Sequence, residues 1–137
     1  MTDPRTFISF DADHNLNEKI LFAGQAKNSK TPFNIQDFSS KAPLLQSEWE
    51  RLIEQKISGC ELMVVLVGRS MGTASGVVKE IQFAKRNNVP YFGVYVDGAN
   101  VNSTLPAGLV QNRVTGWDWD NIASAIDQMM TEGKNRG

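Results

Sequence analysis

Residues 61–68 read ELMVVLVG, and this short run decides the fold. Positions 62–67 are all apolar, and half of them are valine. The run is too short for a typical helix, and its continuous apolar character is typical of a strand that is buried on both faces. Such strands occur in parallel sheets that helices cover on both sides. The run therefore predicts a central strand of an α/β protein.

Strand-like and helix-like segments alternate on both sides of this run. The predicted strands are RTFISF (5–10), PFNIQDF (32–38) and PYFGVYVDG (90–98), which closes on an Asp-Gly turn, with a short NRVTGW segment (112–117) later. The predicted helices are NEKILFAGQAKN (17–28), SEWERLIEQKISGC (47–60), SGVVKEIQFAKRNNVP (75–90) and DNIASAIDQMMTEG (120–133). This alternation predicts a doubly wound α/β sheet, mostly parallel, with four to five strands and helices on both faces.

Two of the helices carry more detailed predictions. In the first, helical spacing places Ile20, Leu21, Ala23 and Gly24 on the inner face. In the second, Ser47 is predicted as the N-cap, and Glu50 three residues later completes a capping box. Gly59 is predicted to end that helix.

The composition limits the classes of protein to consider. A chain of 137 residues predicts a single domain spanning 1–137, with an ordered core of about 5–132. The net charge of -1 gives no reason to expect a nucleic acid or a membrane as partner. One cysteine, Cys60, and one histidine, His14, argue against a disulfide and a metal cluster. With no apolar leader at the start, we expect a soluble, cytoplasmic protein.

In doubly wound sheets, ligands bind outside the carboxyl ends of the strands, at the point where the strand order reverses. The residues at or just beyond the predicted strand ends are Phe10, Asp11, Asp13, His14, Asp37, Phe38, Gly68, Arg69, Ser70, Asp97 and Gly98. No G-x-G-x-x-G follows the first strand and no Walker A sequence occurs, which argues against dinucleotide binding of the Rossmann type and against a P-loop NTPase. MGTASG (71–76) before a helix could cradle a phosphate on backbone amides, and Arg69 and Ser70 could bind one. A phosphorylated receiver domain is disfavoured because no aspartate follows the central strand.

Glu80 lies on the helix that follows this central strand. At 100° per residue, Val77, Ile81 and Ala84 form the inner stripe of that helix, and Lys79, Gln82 and Arg86 form the opposite face. Glu80 falls on the shoulder of the inner stripe, close to the strand ends. Two interpretations fit this position: an acid that only complements the helix dipole, and a partly desolvated carboxylate that takes part in chemistry.

Two stretches resemble Toll/interleukin-1 receptor (TIR) domains. FISF (7–10) with acids after it is similar to their first strand, and SGVVKEIQFAKRNNVPYFGVYVDG (75–98) is similar to their third helix and fourth strand. In that helix a W-V-x-x-E-I pattern carries the glutamate of the NAD-cleaving members, and Val77, Glu80 and Ile81 match it. The order of elements agrees over about residues 5–130, most closely with the TIR-like proteins of bacterial Thoeris antiphage defence. Gly76 stands where the tryptophan is common, and His14 where many members carry Asp.

The resemblance implies a flavodoxin-like enzyme that releases nicotinamide from NAD and makes an ADP-ribose-derived, cyclic signalling nucleotide. Glu80 would be catalytic, and the other implied site residues are Phe10, Asp11, Phe38, Arg69, Ser70 and Gly76 at the substrate, with His14 and Asp37 at the rim. NAD would be the substrate, with no tightly bound cofactor and no metal. The stretch SSKAPLLQS (39–47) corresponds to the BB-loop, through which we expect homo-oligomers to assemble, and a separate effector protein would sense the product. The alternative is a TIR-like adaptor that assembles through the BB-loop without catalysis.

Overall fold

The computed structural model of the chain describes residues 5–11, 19–22, 34–38, 45–69 and 75–132. Within these ranges the strands are β1 (Arg5–Ser9), β2 (Asn34–Phe38), β3 (Leu62–Val67), β4 (Tyr91–Tyr95) and β5 (Val114–Thr115). The helices are α1 (Gln46–Ser58), α2 (Ser75–Arg86) and α3 (Trp119–Glu132), with a 3-10 turn at Gln111–Arg113 and helical residues at 19–22.

The strands form one five-stranded sheet in the order β2-β1-β3-β4-β5, and every neighbouring pair is parallel. The chain leaves β1 toward β2 on one side and then crosses to β3 on the other side. The strand order therefore reverses between β1 and β3. This arrangement confirms the predicted flavodoxin-like, doubly wound α/β fold.

The central strand β3 is buried along its whole length. Its odd-numbered side chains lie in a hydrophobic cluster with side chains of α1 and α2. Its even-numbered side chains lie in a second cluster with α3 and Phe22. Because successive side chains of a strand point to opposite faces, only a sheet with helices on both sides can bury all of them. The apolar run at 62–67 is thus explained by the helices that cover both faces of the sheet, as the run predicted.

The helical residues 19–22 correct one prediction about the inner face. Ile20 and Leu21 are 54% and 57% exposed, whereas Phe22 is fully buried. The Phe22 ring lies 5.7 Å from that of Trp117 and 5.0 Å from that of Trp119, between centroids. The prediction was wrong for Ile20 and Leu21 because the aromatic side chain has more apolar area to bury than these two neighbours. Ala23 and Gly24 lie outside the described residues.

The predicted capping box of the next helix is also wrong. Helix α1 begins at Gln46, its N-cap is Leu45, and no side chain caps it. Ser47 therefore lies within the first turn, where Gln46 Nε2 donates a hydrogen bond of 3.2 Å to Glu50 Oε2. In this pairing across one turn, the Glu50 side chain binds Gln46 instead of the backbone group that a capping box would use. Gly59 ends the helix as predicted, and its amide bonds the carbonyl of Gln55.

The predicted turn after β4 is confirmed, since Asp97 and Gly98 have φ values of +54° and +72°. In the part of the chain that the structure describes, none of the helices has both the length and the hydropathy of a membrane span.

Candidate functional site

The carboxyl ends of β1 and β3 meet at the point where the strand order reverses. Ser9 is the last residue of β1, and it pairs with Val65 of β3. Helix α2 comes after β3 in the chain and packs against α1 on one face of the sheet. Ligands of doubly wound proteins bind at this position of the sheet, so it is the first place to look for a functional group.

Glu80 of α2 reaches the end of β1 from this face. The residue is only 1% exposed, although its side chain is charged at neutral pH in water. The Ser9 hydroxyl, itself fully buried, donates a hydrogen bond of 2.6 Å to Glu80 Oε1. The sequence predicted a partly desolvated position on the shoulder of the helix. The structure places Glu80 deeper than that, inside the buried face that Val77, Ile81 and Ala84 also form.

A buried carboxylate is costly for a purely structural role. Its removal from water costs several kcal/mol of hydration free energy. A hydrogen bond to a charged group returns about 1.5–3 kcal/mol, so the bond from Ser9 offsets part of this cost. Since buried ionisable groups in clefts cluster at functional sites, a buried acid at the ligand-binding edge of the sheet marks a candidate active site.

Two further predicted site residues directly follow β1. Phe10 is 4% exposed, and its ring packs in the cluster on the α3 face, with Lys19 Nζ 5.9 Å from its centroid. Asp11 is 6% exposed. Phe10 thus lies on the face of the sheet opposite to α2, so the described packing brings Ser9 rather than the Phe10 ring to Glu80. The roles of Phe10 and Asp11 toward a substrate stay predictions.

Arg69 lies just beyond β3 and pairs with a residue beyond β4. Its Nη2 atom is 3.2 Å from Asp97 Oδ1, and the Arg69 side chain is 70% exposed. Exposed ion pairs of this kind contribute at most about 1 kcal/mol, so the guanidinium can exchange partners at little cost. A phosphate-binding role for Arg69 stays a prediction, and Ser70 and His14 lie outside the described residues.

The predicted site residues of β2 are described by their backbone alone. Asp37 and Phe38 pair with Phe7 and Ile8 of β1, respectively. This register places both residues at the carboxyl end of β2, beside the end of β1. Their side chains lie outside the described part of the structure.

Gly76, which stands where the resembled family commonly has tryptophan, lies beside Trp49 of α1. A Cβ atom at position 76 would be 3.8 Å from Trp49 Cη2 and 3.9 Å from Trp49 Cζ2. The indole ring of α1 therefore covers the side of α2 where a side chain at position 76 would begin. Neither Trp49 nor Ser9 was predicted as a site residue, although a lone serine in the apolar stretch FISF was a signal for Ser9.

A cavity of about 530 Å³ lies at the carboxyl ends of β4 and β5. Its lining includes Tyr95, Asp97, Gly98 and Trp117, but neither Glu80 nor Ser9. Asp97 joins the rim of this cavity to Arg69. Among the described residues, the lining of the cavity is thus distinct from the pair formed by Ser9 and Glu80.

The fold and the site together define a flavodoxin-like α/β domain with a buried glutamate at the strand-order reversal. A family model described as Thoeris protein ThsB, TIR-like domain, matches residues 7–101. The match covers more than half of the chain and includes the end of β1, all of β2 to β4 and Glu80, so the chain belongs to this family of TIR-like domains. Membership supports a role in antiphage defence. Among curated proteins, none matches the chain.

Proposed function

We propose that this TIR-like domain cleaves NAD, with Glu80 as the catalytic residue, and produces an ADP-ribose-derived, cyclic signalling nucleotide in antiphage defence. The observation that carries the proposal is the buried carboxylate of Glu80 against the end of β1, where the strand order reverses. Membership of the family of Thoeris TIR-like domains supports the biological setting.

The chemistry suits a single carboxylate. Loss of nicotinamide from NAD develops positive, oxocarbenium-like charge on the ribose, as in glycoside hydrolysis. A carboxylate close to the ribose stabilises this charge and orients the sugar hydroxyls. The nicotinamide is a pyridinium before the bond breaks and leaves as a neutral molecule, so the leaving group needs no general acid. This accounts for a site in which Glu80 is the central charged group.

The burial of Glu80 strengthens the effect of its charge. Coulomb interactions are several-fold stronger in a partly buried site than in water, because the effective dielectric constant is lower. A carboxylate held in place also has no reorganisation to undergo as the ribose charge develops. These two properties stabilise the transition state more than the ground state, which is the condition for catalysis.

The fate of the ribosyl group depends on which nucleophile reaches it. Attack by water gives ADP-ribose, and attack by the adenine or a ribose hydroxyl of the same molecule gives a cyclic product. We propose the cyclic route, with a separate effector protein that senses the product. We further propose that the chain assembles into homo-oligomers through residues 39–47, and that NAD acts as substrate without a tightly bound cofactor.

The test is to incubate the purified full chain with NAD, with and without lysate of phage-infected cells, and to quantify nicotinamide and the nucleotide product by chromatography and mass spectrometry. We expect Glu80→Gln to lower nicotinamide release by roughly 10²–10³-fold, because the substituted amide carries no charge. The matched control is Glu50→Gln, the same change on α1 at an acid that pairs with Lys79 at 3.6 Å. This control is expected to keep its activity within about twofold of the wild type.

Three outcomes would contradict parts of this proposal. Undiminished nicotinamide release by folded Glu80→Gln would remove Glu80 from catalysis. A product of the mass of ADP-ribose, rather than one lighter by a water molecule, would show hydrolysis instead of cyclisation. Absence of turnover under every condition, together with retained self-association, would favour the non-catalytic adaptor.

A further inference from the structure

The hydrogen bond between Ser9 and Glu80 joins two elements of the domain at a fully buried position. Ser9 ends β1, Glu80 lies on α2, and the two residues are 71 positions apart in the sequence. The distance from Ser9 Oγ to Glu80 Oε1 is 2.6 Å. Hydroxyl donors approach ionised carboxylates to about 2.5–2.7 Å, which is closer than in neutral pairs. The bond is therefore a close O–H···O contact between the hydroxyl and the carboxyl group.

We propose that Ser9 is a positioning residue for Glu80: its hydroxyl holds Oε1 of the carboxylate at the end of β1 and keeps the group in one orientation. The inference rests on the proposed function, because it assigns Ser9 a role in NAD cleavage by Glu80.

The sheet fixes the position of the Ser9 hydroxyl. β1 lies between β2 and β3, and the neighbouring residue Ile8 is paired on both sides, with Phe38 and with Val64. Ser9 itself pairs with Val65 of the central strand. A backbone held from both sides leaves the hydroxyl little freedom beyond rotation about its own side-chain bonds. Glu80, by contrast, has a longer side chain with several rotamers, so the fixed partner determines where the carboxylate stays.

Two charged side chains of α2 form ion pairs away from the Ser9 hydroxyl. On the outer side of the helix pair, Lys79 is paired with Glu50 and Arg86 with Glu54. Beyond the end of β1, Asp11 is a second buried acid. The Ser9 donor favours the charged form of the carboxylate that it binds. The loss of the Ser9 donor should therefore change the ionisation of Glu80 and not only its orientation.

The kinetic test compares Ser9→Ala with the wild type in NAD cleavage. Loss of a hydrogen bond to a charged group corresponds to roughly a 10- to 100-fold loss in kcat. We expect kcat to fall by this factor while KM for NAD changes less than about threefold, because Ser9 acts through the carboxylate. We also expect the acidic limb of the pH profile of kcat to move to higher pH, because a donor that favours the charged form of a carboxylate has been removed.

Thr6 provides the matched control. It is also a fully buried hydroxyl residue of β1, but it stands an odd number of positions from Ser9 and so faces the other side of the sheet. Thr6→Val removes that hydroxyl and keeps the shape. We expect kcat within about threefold of the wild type and no movement of the pH profile. An equal fall in kcat for Thr6→Val and Ser9→Ala would overturn the positioning role, since it would reflect general disturbance of β1.

A second measurement separates this inference from the proposed function. The carboxyl titration of Glu80, followed by carbon NMR and assigned by its absence in Glu80→Gln, needs no turnover. A higher titration midpoint in Ser9→Ala than in the wild type would support the role of Ser9. This holds even if the wild type does not cleave NAD, and in that case only the proposed function would fail. An unchanged midpoint, or an unchanged kcat in an enzyme that depends on Glu80, would overturn the role of Ser9.

Discussion

Substitution of Gly108 by alanine is expected to destabilise the domain through its contact with α2. Gly108 has a φ of +96°, a conformation that residues with a Cβ atom rarely adopt. A Cβ atom there would lie 2.7 Å from Ile81 Cγ2, well inside van der Waals contact. The Gly108 carbonyl accepts a hydrogen bond of 2.7 Å from the Tyr91 hydroxyl, which restrains the loop from moving away. Because Ile81 is buried next to Glu80, the clash acts directly on the helix that carries the proposed catalytic residue.

The magnitude follows from two separate contributions. Left-handed backbone costs a residue with a Cβ atom about 1–2 kcal/mol, and overpacking of a buried side chain costs about 1–3 kcal/mol. Gly108→Ala should therefore lower the free energy of unfolding by about 2–5 kcal/mol. For a chain of this length the unfolding entropy is about 0.29 kcal/mol per kelvin, so Tm should fall by about 7–17 °C.

The assay is thermal and urea denaturation followed by circular dichroism, with Gly116→Ala as the control. A Cβ atom at Gly116 would meet nothing within 4 Å, so this variant should stay within about 0.5 kcal/mol of the wild type. Ile81→Ala removes the Cγ2 atom, so the double variant with Gly108→Ala should be less destabilised than the sum of the two single variants. Equal stability of Gly108→Ala and Gly116→Ala would show that neither the positive φ nor the contact with Ile81 destabilises the alanine variant. Strict additivity would refute the contribution of the clash.

Two predictions concern the packing of α1 on α2. Two hydrogen bonds from Arg86 and one from Asn87 hold the pKa of Glu54 below its ordinary 4.5, so their stabilisation is present above that pH and is lost as the pH falls through the lowered pKa. The difference in unfolding free energy between the wild type and Glu54→Gln, measured by urea denaturation, should be about 1 kcal/mol at pH 7 and approach zero in acid; a difference independent of pH would contradict this. Gly76→Ala should raise the free energy of unfolding by about 0.5–1 kcal/mol, since its Cβ would make ordinary contact with Trp49. Gly76→Trp should lower it by about 1–3 kcal/mol, and Trp49→Ala should partly restore it. Equal melting temperatures of the two Gly76 variants would contradict the contact between position 76 and Trp49.

Local patterns predicted the elements of the sheet and helices well, because each pattern is a property of one segment. The apolar run of β3 requires cover on both faces, and the stripe of Val77, Ile81 and Ala84 requires one buried face of α2. Both requirements were met in the structure. Even the turn at Asp97 and Gly98 follows from the residues themselves, since aspartate and glycine tolerate positive φ.

Predictions that depended on competition between neighbours were less secure. The capping signal at Ser47 was overridden when Gln46 paired with Glu50, and the inner face assigned to Ile20 and Leu21 went instead to Phe22. In each case several residues within one turn could satisfy the local rule. The packing of the rest of the molecule decided which of these residues did so, and a periodic pattern in one segment does not predict that packing.

The doubly wound fold class, the helix that carries Glu80 and its approach to the strand ends were predictable from the sequence. Hydrophobic periodicity and the alternation of strands and helices are properties of consecutive residues. Only the tertiary structure decided how deeply Glu80 is buried, that Ser9 binds its carboxylate, and that Trp49 covers Gly76. These contacts join segments that are far apart in the chain. Their existence depends on how the helices after β2 and β3 pack on the sheet and on each other, and the periodicity of a single segment holds no information about that packing.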